Sequence, residues 1–148
     1  MAEYRHLVRI ANTDLKGERI IGIALTGIKG VGPRFAKAVC IAAGIETGKK
    51  TGELTDTEVK QLEKVILNAD MNLPKWMFNR RKDPEDGLDK HLITNQLVFA
   101  KDTDLRDMKK LKNYRGMRHA FGLPSRGQRT RSNFRKNKGK SLGVKRKA

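Results

Sequence analysis

The last carboxylate in the chain is Asp107. Beyond it, residues 108 to 148 carry 15 lysines and arginines and no acid, whereas residues 1 to 107 carry 18 basic and 16 acidic side chains. Exposed faces of stable domains interleave both signs to limit self-repulsion. Fifteen unopposed cations therefore need an external anion before they become compact. The charge distribution predicts a nearly neutral, foldable body over residues 1–112 and an extended basic arm over 113–148. A chain of 148 residues suits one domain with such an appendage.

A net charge of +17 and a pI near 10.4 speak to partners rather than to fold. A polyanion fits: RNA, DNA or an anionic membrane surface. No apolar run approaches the roughly 18 residues of a spanning helix, and the opening MAEYRHLVRI has no apolar core of a secretory signal. Cys40 is the only cysteine and sits in the apolar run AVCIAAGI. It forms no internal disulfide, reads as a small buried hydrophobe, and predicts a reducing compartment.

Hydrophobic spacing predicts a mainly α body. His6 to Ile10 alternates like a strand or an extended lead-in. Leu15, Ile20, Ile21, Ile23 and Leu25 give an apolar face to 14-DLKGERIIGIALT-26, although Gly17 and Gly22 weaken a helix there. The tight turn 27-GIKGVG-32 leads into a helix opened by Pro33, whose missing N–H is harmless at the first helical position. Phe35, Ala36, Val39 and Cys40 are its core face and Gly44 its stop. Thr55 and Glu58 form a T-x-x-E capping box. The helix they open is expected to run to about Ala69, with Val59, Leu62, Val65 and Ile66 inward. Pro74 then breaks the chain, and Trp76, Met77 and Phe78 form an aromatic-rich patch. Trp76 to Arg81 and His91 to Thr94 are expected to pair as a small β-hairpin. Helical spacing returns from Leu97 to Lys112, with Asp102 or Asp104 as caps of a second start. After Tyr114 no long period survives, and 135-RKNKGKSLGVKRKA-148 has the composition of a disordered arm.

No catalytic constellation is present in the sequence. His6, His91 and His119 are far apart, one cysteine supplies no thiolate metal site, and 27-GIKGVGPR-34 lacks the Lys-Ser/Thr of a P-loop. Asp83, Glu85, Asp86 and Asp89 have the wrong spacing for a calcium loop and read as a solvated turn. The sequence predicts a non-enzyme without cofactor or metal.

Two features point to nucleic acid. The first is the glycine-rich turn before the Pro33 helix. Gly30 and Gly32 let a backbone approach a phosphate without a Cβ in the way. The N–H groups opening the helix favour anions, and Lys29, Arg34 and Lys37 add charge. This resembles helix–hairpin–helix modules that bind nucleic-acid backbones; the plain alternative is a tight αα-turn. The second is 114-YRGMRHAFGLPSRGQRTRSN-133, with five arginines, one histidine and no acid. Arginine forks grip phosphates bidentately and stack on unpaired bases. Gly116, Gly122, Gly127 and Pro124 are expected to keep the segment from closing into its own core. Tyr114, His119 and Phe121 are read as either stacking on bases or tucking against the body.

The same segment resembles the signature of the universal small-subunit ribosomal protein thirteen family, called eighteen in eukaryotes. The family pattern is filled here by Arg115, Gly116, Met117, Arg118, His119, Gly122, Leu123, Arg126, Gly127, Gln128, Arg129 and Thr130. The GIKGVG turn and the Thr55 helix follow the family's order. Residues 74–92 look like its longer archaeal and eukaryotic version, and Phe134 to Ala148 resembles its tail in composition. The resemblance implies a helix–two-turns–helix body with a C-terminal arm, a cytoplasmic protein in the head of the small subunit. It implies contacts with small-subunit rRNA, with small-subunit protein nineteen, with large-subunit proteins across an intersubunit bridge, and with P-site tRNA. The rRNA-binding residues expected are Lys29, Gly30, Gly32, Arg34, Lys37, Arg115, Arg118, His119, Arg126, Gln128, Arg129 and Arg131. In the tail, Lys140, Lys145, Arg146 and Lys147 are expected to reach tRNA.

The alternative is a helix–hairpin–helix DNA-binding protein without catalytic activity. The absence of catalytic residues argues against a glycosylase, and the RGQRT segment favours RNA. A cationic membrane-surface peptide fits poorly, because the tail has few large apolar residues to insert.

Overall fold

Leu7–Ile10 forms strand β1, as the alternation from His6 foreshadows, with Val8 and Ile10 facing inward. No partner for it is evident in the sequence. Its partner is β2, Thr13–Lys16, antiparallel in the register Val8 to Leu15 and Ile10 to Thr13. Ala11 and Asn12 make the two-residue turn with φ of 47° and 58°, the pair of positive angles that matches the twist of the flanking strands. The stretch from Asp14 is thus half strand. Only Ile21–Ala24 is helical (α1), followed by a 3-10 turn over Leu25–Gly27. Leu15, Ile21 and Leu25 are buried, but Ile20 and Ile23 are exposed. The computed structural model describes residues 4 to 131.

Helix α2, Pro33–Ala42, begins at Pro33 and is stopped by Gly44, two residues past its end. There the Ile45 N–H bonds the Cys40 carbonyl at 2.9 Å and the Gly44 N–H bonds that of Ile41 at 3.1 Å, a Schellman stop. All four expected core residues, Phe35, Ala36, Val39 and Cys40, are buried, and burial pushes the Cys40 thiol pKa up. Helix α3, Asp56–Leu67, is opened by a complete capping box. The Thr55 side chain accepts from the Glu58 N–H, and the Glu58 carboxylate accepts from the Thr55 N–H at 2.8 Å. Leu62 and Ile66 are fully buried, with Val59 and Val65 at the edge of the core. The helix stops at Leu67, sooner than Ala69. Asn68 leaves helical geometry and a single further turn, α4, spans Ala69–Asn72.

Residues 74–92 differ from the expected hairpin. Lys75–Met77 is a 3-10 turn, and ladder pairing shrinks to one bridge between Arg80 and Lys90. Side chains supply the rest. The Asn79 amide donates to the Leu92 carbonyl at 2.7 Å and its carbonyl accepts the Leu92 N–H at 2.9 Å, so an amide side chain takes the place of a strand's backbone. The loop tip is held by Asp83, which is buried and accepts from Arg80 at 3.0 Å and Lys90 at 3.4 Å. Burial alone would raise the Asp83 pKa, but hydrogen bonds from Arg80 and Lys90 outweigh it and hold the carboxyl low. Asp86 also pairs with Lys90. These carboxylates serve cations of the loop itself, consistent with a turn rather than a calcium loop.

Helix α5, Thr94–Lys110, is one unbroken helix without a second start at Asp102 or Asp104. None of its residues is fully buried, though Leu97, Leu105 and Met108 are half-covered. The chain forms two compact units, one through Lys101 and one from Asp102, so the division lies within α5. Every residue of the core cluster falls between Val8 and Ile93.

Candidate nucleic-acid interface

The glycine-rich turn is pinned from below. Ile28 and Val31 are buried, and their N–H groups bond the Leu25 and Ile28 carbonyls, each at 3.0 Å. The two glycines between and after them do different work. Gly30 has φ +100°, and a Cβ there would lie 2.6 Å from the Leu92 carbonyl oxygen. That approach lets the Lys29 carbonyl accept the Thr94 N–H at 2.8 Å, tying the turn to the start of α5. Gly32 has extended backbone, φ −90° and ψ 170°, and nothing lies within 4 Å of where its Cβ would be. Nothing in the folded chain requires glycine at position 32.

What the turn presents is positive. Lys29, Arg34 and Lys37 are all exposed. Helix α2 has no acidic residue in its first turn and no side chain capping it. Its leading N–H groups, those of Arg34 and Phe35, have no helical carbonyl to bond and no side-chain cap, and lie among Lys29, Arg34 and Lys37. Beside them lies a residue whose role the sequence reading missed. Trp76, placed there only in an aromatic patch, is 68% exposed and lines a cleft with Gly30, Gly32 and Arg34. The available signal was a lone tryptophan two residues after Pro74, followed by the charged run Arg80, Arg81 and Lys82.

The arginine segment is more ordered than its composition suggests. Tyr114–Ala120 forms helix α6, capped by Asn113, whose Oδ1 accepts the Gly116 N–H at 2.6 Å. Gly116 does not loosen the segment. It is buried against the end of α5, and a Cβ at that position would sit 2.0 Å from the Met108 carbonyl oxygen. The helix closes with a second Schellman stop at Gly122: the Leu123 N–H bonds the Arg118 carbonyl at 2.9 Å and the Gly122 N–H that of His119 at 3.2 Å. Arg118 is half-buried and donates from Nε to the Pro124 carbonyl at 2.9 Å, which fixes the guanidinium plane. Arg115, His119, Arg126, Gln128, Arg129 and Arg131 are exposed. The Gln128 side chain accepts the Arg126 N–H at 3.1 Å, and Arg129 Nε donates to the Arg131 carbonyl at 3.0 Å. Tyr114 and Phe121 also point outward, at 64% and 72% exposure, which decides against their tucking away. The stretch from Met108 to Arg131 itself contains no carboxylate.

The structure thus brings Lys29, Gly30, Gly32, Arg34 and Lys37 together at one turn. It gathers Arg115, Arg118, His119, Arg126, Gln128, Arg129 and Arg131 on α6 and the irregular chain after it. Lys140, Lys145, Arg146 and Lys147 lie outside the described residues. Among the described residues no cluster of three or more His, Cys, Asp or Glu could hold a metal, and no helix is long and apolar enough to cross a membrane.

Residues 9–136 match the model of the family described as ribosomal protein S13/S18. The chain belongs to that family. The small ribosomal subunit protein uS13 of Methanothermobacter thermautotrophicus is 48% identical over 146 residues, covering 98% of this chain and 97% of that protein. Those of Methanopyrus kandleri and Methanocaldococcus jannaschii are 46% and 44% identical, over 98% and 99% of this chain and 97% of each relative. Membership makes the chain a structural, non-enzymatic protein of the small ribosomal subunit, working in translation on cytoplasmic ribosomes. The match to the S13/S18 family replaces the DNA-binding alternative.

Proposed function

We propose that this protein holds small-subunit rRNA through two cationic surfaces, the turn before α2 and the arginine segment from Arg115 to Arg131. The observation carrying this reading is the exposure of Arg115, Arg126, Arg129 and Arg131 on a stretch with no carboxylate from Met108 onward. Such a surface lowers its energy by meeting an anion, and folded RNA concentrates anions. Arg118, with its guanidinium plane set by Pro124, adds a directed fork, and His119, Tyr114 and Phe121 offer faces to unpaired bases. At the turn, Lys29, Arg34 and Lys37 flank a backbone that Gly32 leaves open, so phosphates reach the leading N–H groups of α2.

The mechanism is electrostatic and positional. Each phosphate neutralised releases counterions, so binding weakens steeply with salt. Backbone contacts of this type fix orientation without reading sequence. In the particle we place the protein in the head, next to small-subunit protein nineteen. There it contributes to a bridge with large-subunit proteins and sends the tail with Lys140, Lys145, Arg146 and Lys147 toward P-site tRNA. Residues 1–112 act as the packing body and 113–148 as the arm.

Ultraviolet crosslinking in cells, followed by sequencing of the attached nucleic acid, tests this. Reads concentrated on small-subunit rRNA, with a minority on tRNA, are expected. Reads scattered over DNA or unrelated transcripts overturn it.

A further inference from the structure

Trp76 is the only tryptophan of the chain and is largely exposed. It stands over a cleft of about 530 Å³ lined by Gly30, Gly32, Arg34, Phe35, Met77 and His91, among others. That volume falls within the roughly 300–1,000 Å³ that takes a small-molecule-sized ligand. The floor is aromatic and flat: His91 stacks on Phe35 with ring centroids 3.9 Å apart and planes 11° from parallel. Asn79, also at the rim, spends its amide on Leu92 and is held in place. Among the described residues no carboxylate lines the cleft; Arg34 does, and Lys29, Lys37 and Lys75 are exposed close by in sequence to its lining residues.

An exposed indole beside an aromatic floor, with Arg34 on the lining, suits a flat aromatic ligand carrying negative charge. We infer that this cleft receives one unpaired nucleotide of the rRNA, its base against Trp76 and its phosphate toward Arg34. A peptide partner fits less well. An apolar peptide side chain gains nothing from the surrounding cations, and an acidic peptide gains nothing from the flat aromatic floor. Stacking on aromatic side chains tolerates any base, so the cleft grips an extruded nucleotide without selecting its identity. The inference rests on the rRNA-binding reading and extends it at the turn, where Trp76, Met77, Asn79 and His91 join Gly30, Gly32 and Arg34 in one cleft.

The test uses the full chain and two probes, the single-stranded RNA hexamer U6 and an abasic hexamer with the same phosphates. Because Trp76 is the sole indole, its fluorescence reports the cleft alone. U6 is expected to quench it saturably, and the abasic hexamer to leave it nearly unchanged. Trp76→Ala is expected to weaken U6 binding, followed by anisotropy of labelled RNA, by about 5- to 150-fold, with Trp76→Phe retaining most of it. The indole is largely solvent-facing, so both variants keep the native circular dichroism. Equal binding of the two hexamers, or unchanged affinity in Trp76→Ala while salt-sensitive binding persists, overturns the cleft assignment and leaves the cationic surfaces standing. Loss of all RNA binding in the native chain overturns both. In assembled subunits, a photo-crosslink from Trp76 to a nucleotide supports the assignment, and one to a protein neighbour alone refutes it.

Discussion

Replacing Gly30 with alanine should cost far more than replacing Gly32 with serine, although the two glycines are separated by a single residue. At Gly30 two penalties combine. The φ of +100° lies where a side chain is strained, worth about 1–3 kcal/mol. The new Cβ would also meet the Leu92 carbonyl oxygen at 2.6 Å. Relieving that clash pulls the turn from the start of α5 and breaks the Lys29–Thr94 hydrogen bond, about 1 kcal/mol more. The total of roughly 2–4 kcal/mol is a large share of a typical 5–15 kcal/mol stability. With a urea m-value of about 1–3 kcal/mol/M, the midpoint should fall by roughly 1–2 M. At Gly32 the backbone is extended and the space empty. Serine suits an N-cap better than glycine does, so Gly32→Ser should match or slightly exceed the native midpoint. Urea unfolding followed by circular dichroism measures both. A Gly30→Ala variant that unfolds at the native midpoint would refute the reasoning. The pair also separates fold from function. If Gly32→Val folds normally yet binds rRNA more weakly, glycine stands there for the closeness of the RNA backbone.

Gly116→Ala should destabilise the unit beginning at Asp102, since its methyl would press on the Met108 carbonyl; faster hydrogen exchange at amides of α6, with those of α2 unchanged, is the expected signature. In the capping box, the Lys49 hydrogen bond first, and then the Thr55 N–H, hold the Glu58 carboxyl below its usual range. A depressed folded-state pKa contributes stability that is present above the ordinary glutamate value of about 4.3 and is lost as pH falls through the lower folded value. Glu58→Gln should therefore flatten the stability profile in that acid window, and an unchanged profile would contradict the pairing. Thr55→Ala should cost about 1 kcal/mol, read from the same urea curves. Changing Arg126, Arg129 and Arg131 together to glutamine should lower the salt slope of rRNA binding by about 2–3, at roughly 0.7–0.9 for each phosphate left without its arginine. Unchanged incorporation into small subunits would show that these arginines are not anchors.

The sequence disclosed most where one local rule acted without competition. Pro33 and Gly44 bracketed α2, and the Thr55–Glu58 pair marked the start of α3, because capping chemistry is written in adjacent residues. It disclosed least where tertiary contacts overrode local preference. Apolar spacing after Asp14 resembled a helix, yet Leu15 serves a strand, because pairing with Val8 decides its conformation. The sequence hid the fastening of residues 79–92 because Asn79 closes that loop through a side chain, and periodicity is blind to that. Helix α6 was obscured by its arginines and glycines. Asn113 and Gly122 were the cap and stop that marked it, while the need for Gly116 comes from the carbonyl of Met108, eight residues earlier. Of the candidate site, charge alone pointed to the cations. The cleft at Trp76 requires the turn and residues 74–92 to meet, a juxtaposition that spacing along the chain does not encode.

The position of the core along the chain has a consequence for timing. A chain is made from its N-terminus, and domains fold as units as they emerge. Among the described residues the buried cluster ends at Ile93, before the last carboxylate and before the first of the fifteen cations of the acid-free segment. All the residues that build the core are therefore synthesised before any of those cations. A nascent chain can complete its packing before it gains the segment most prone to seize the nearest RNA. Circular permutation that moved the basic segment to the front would reverse that order and offer RNA a cationic, unfolded chain first.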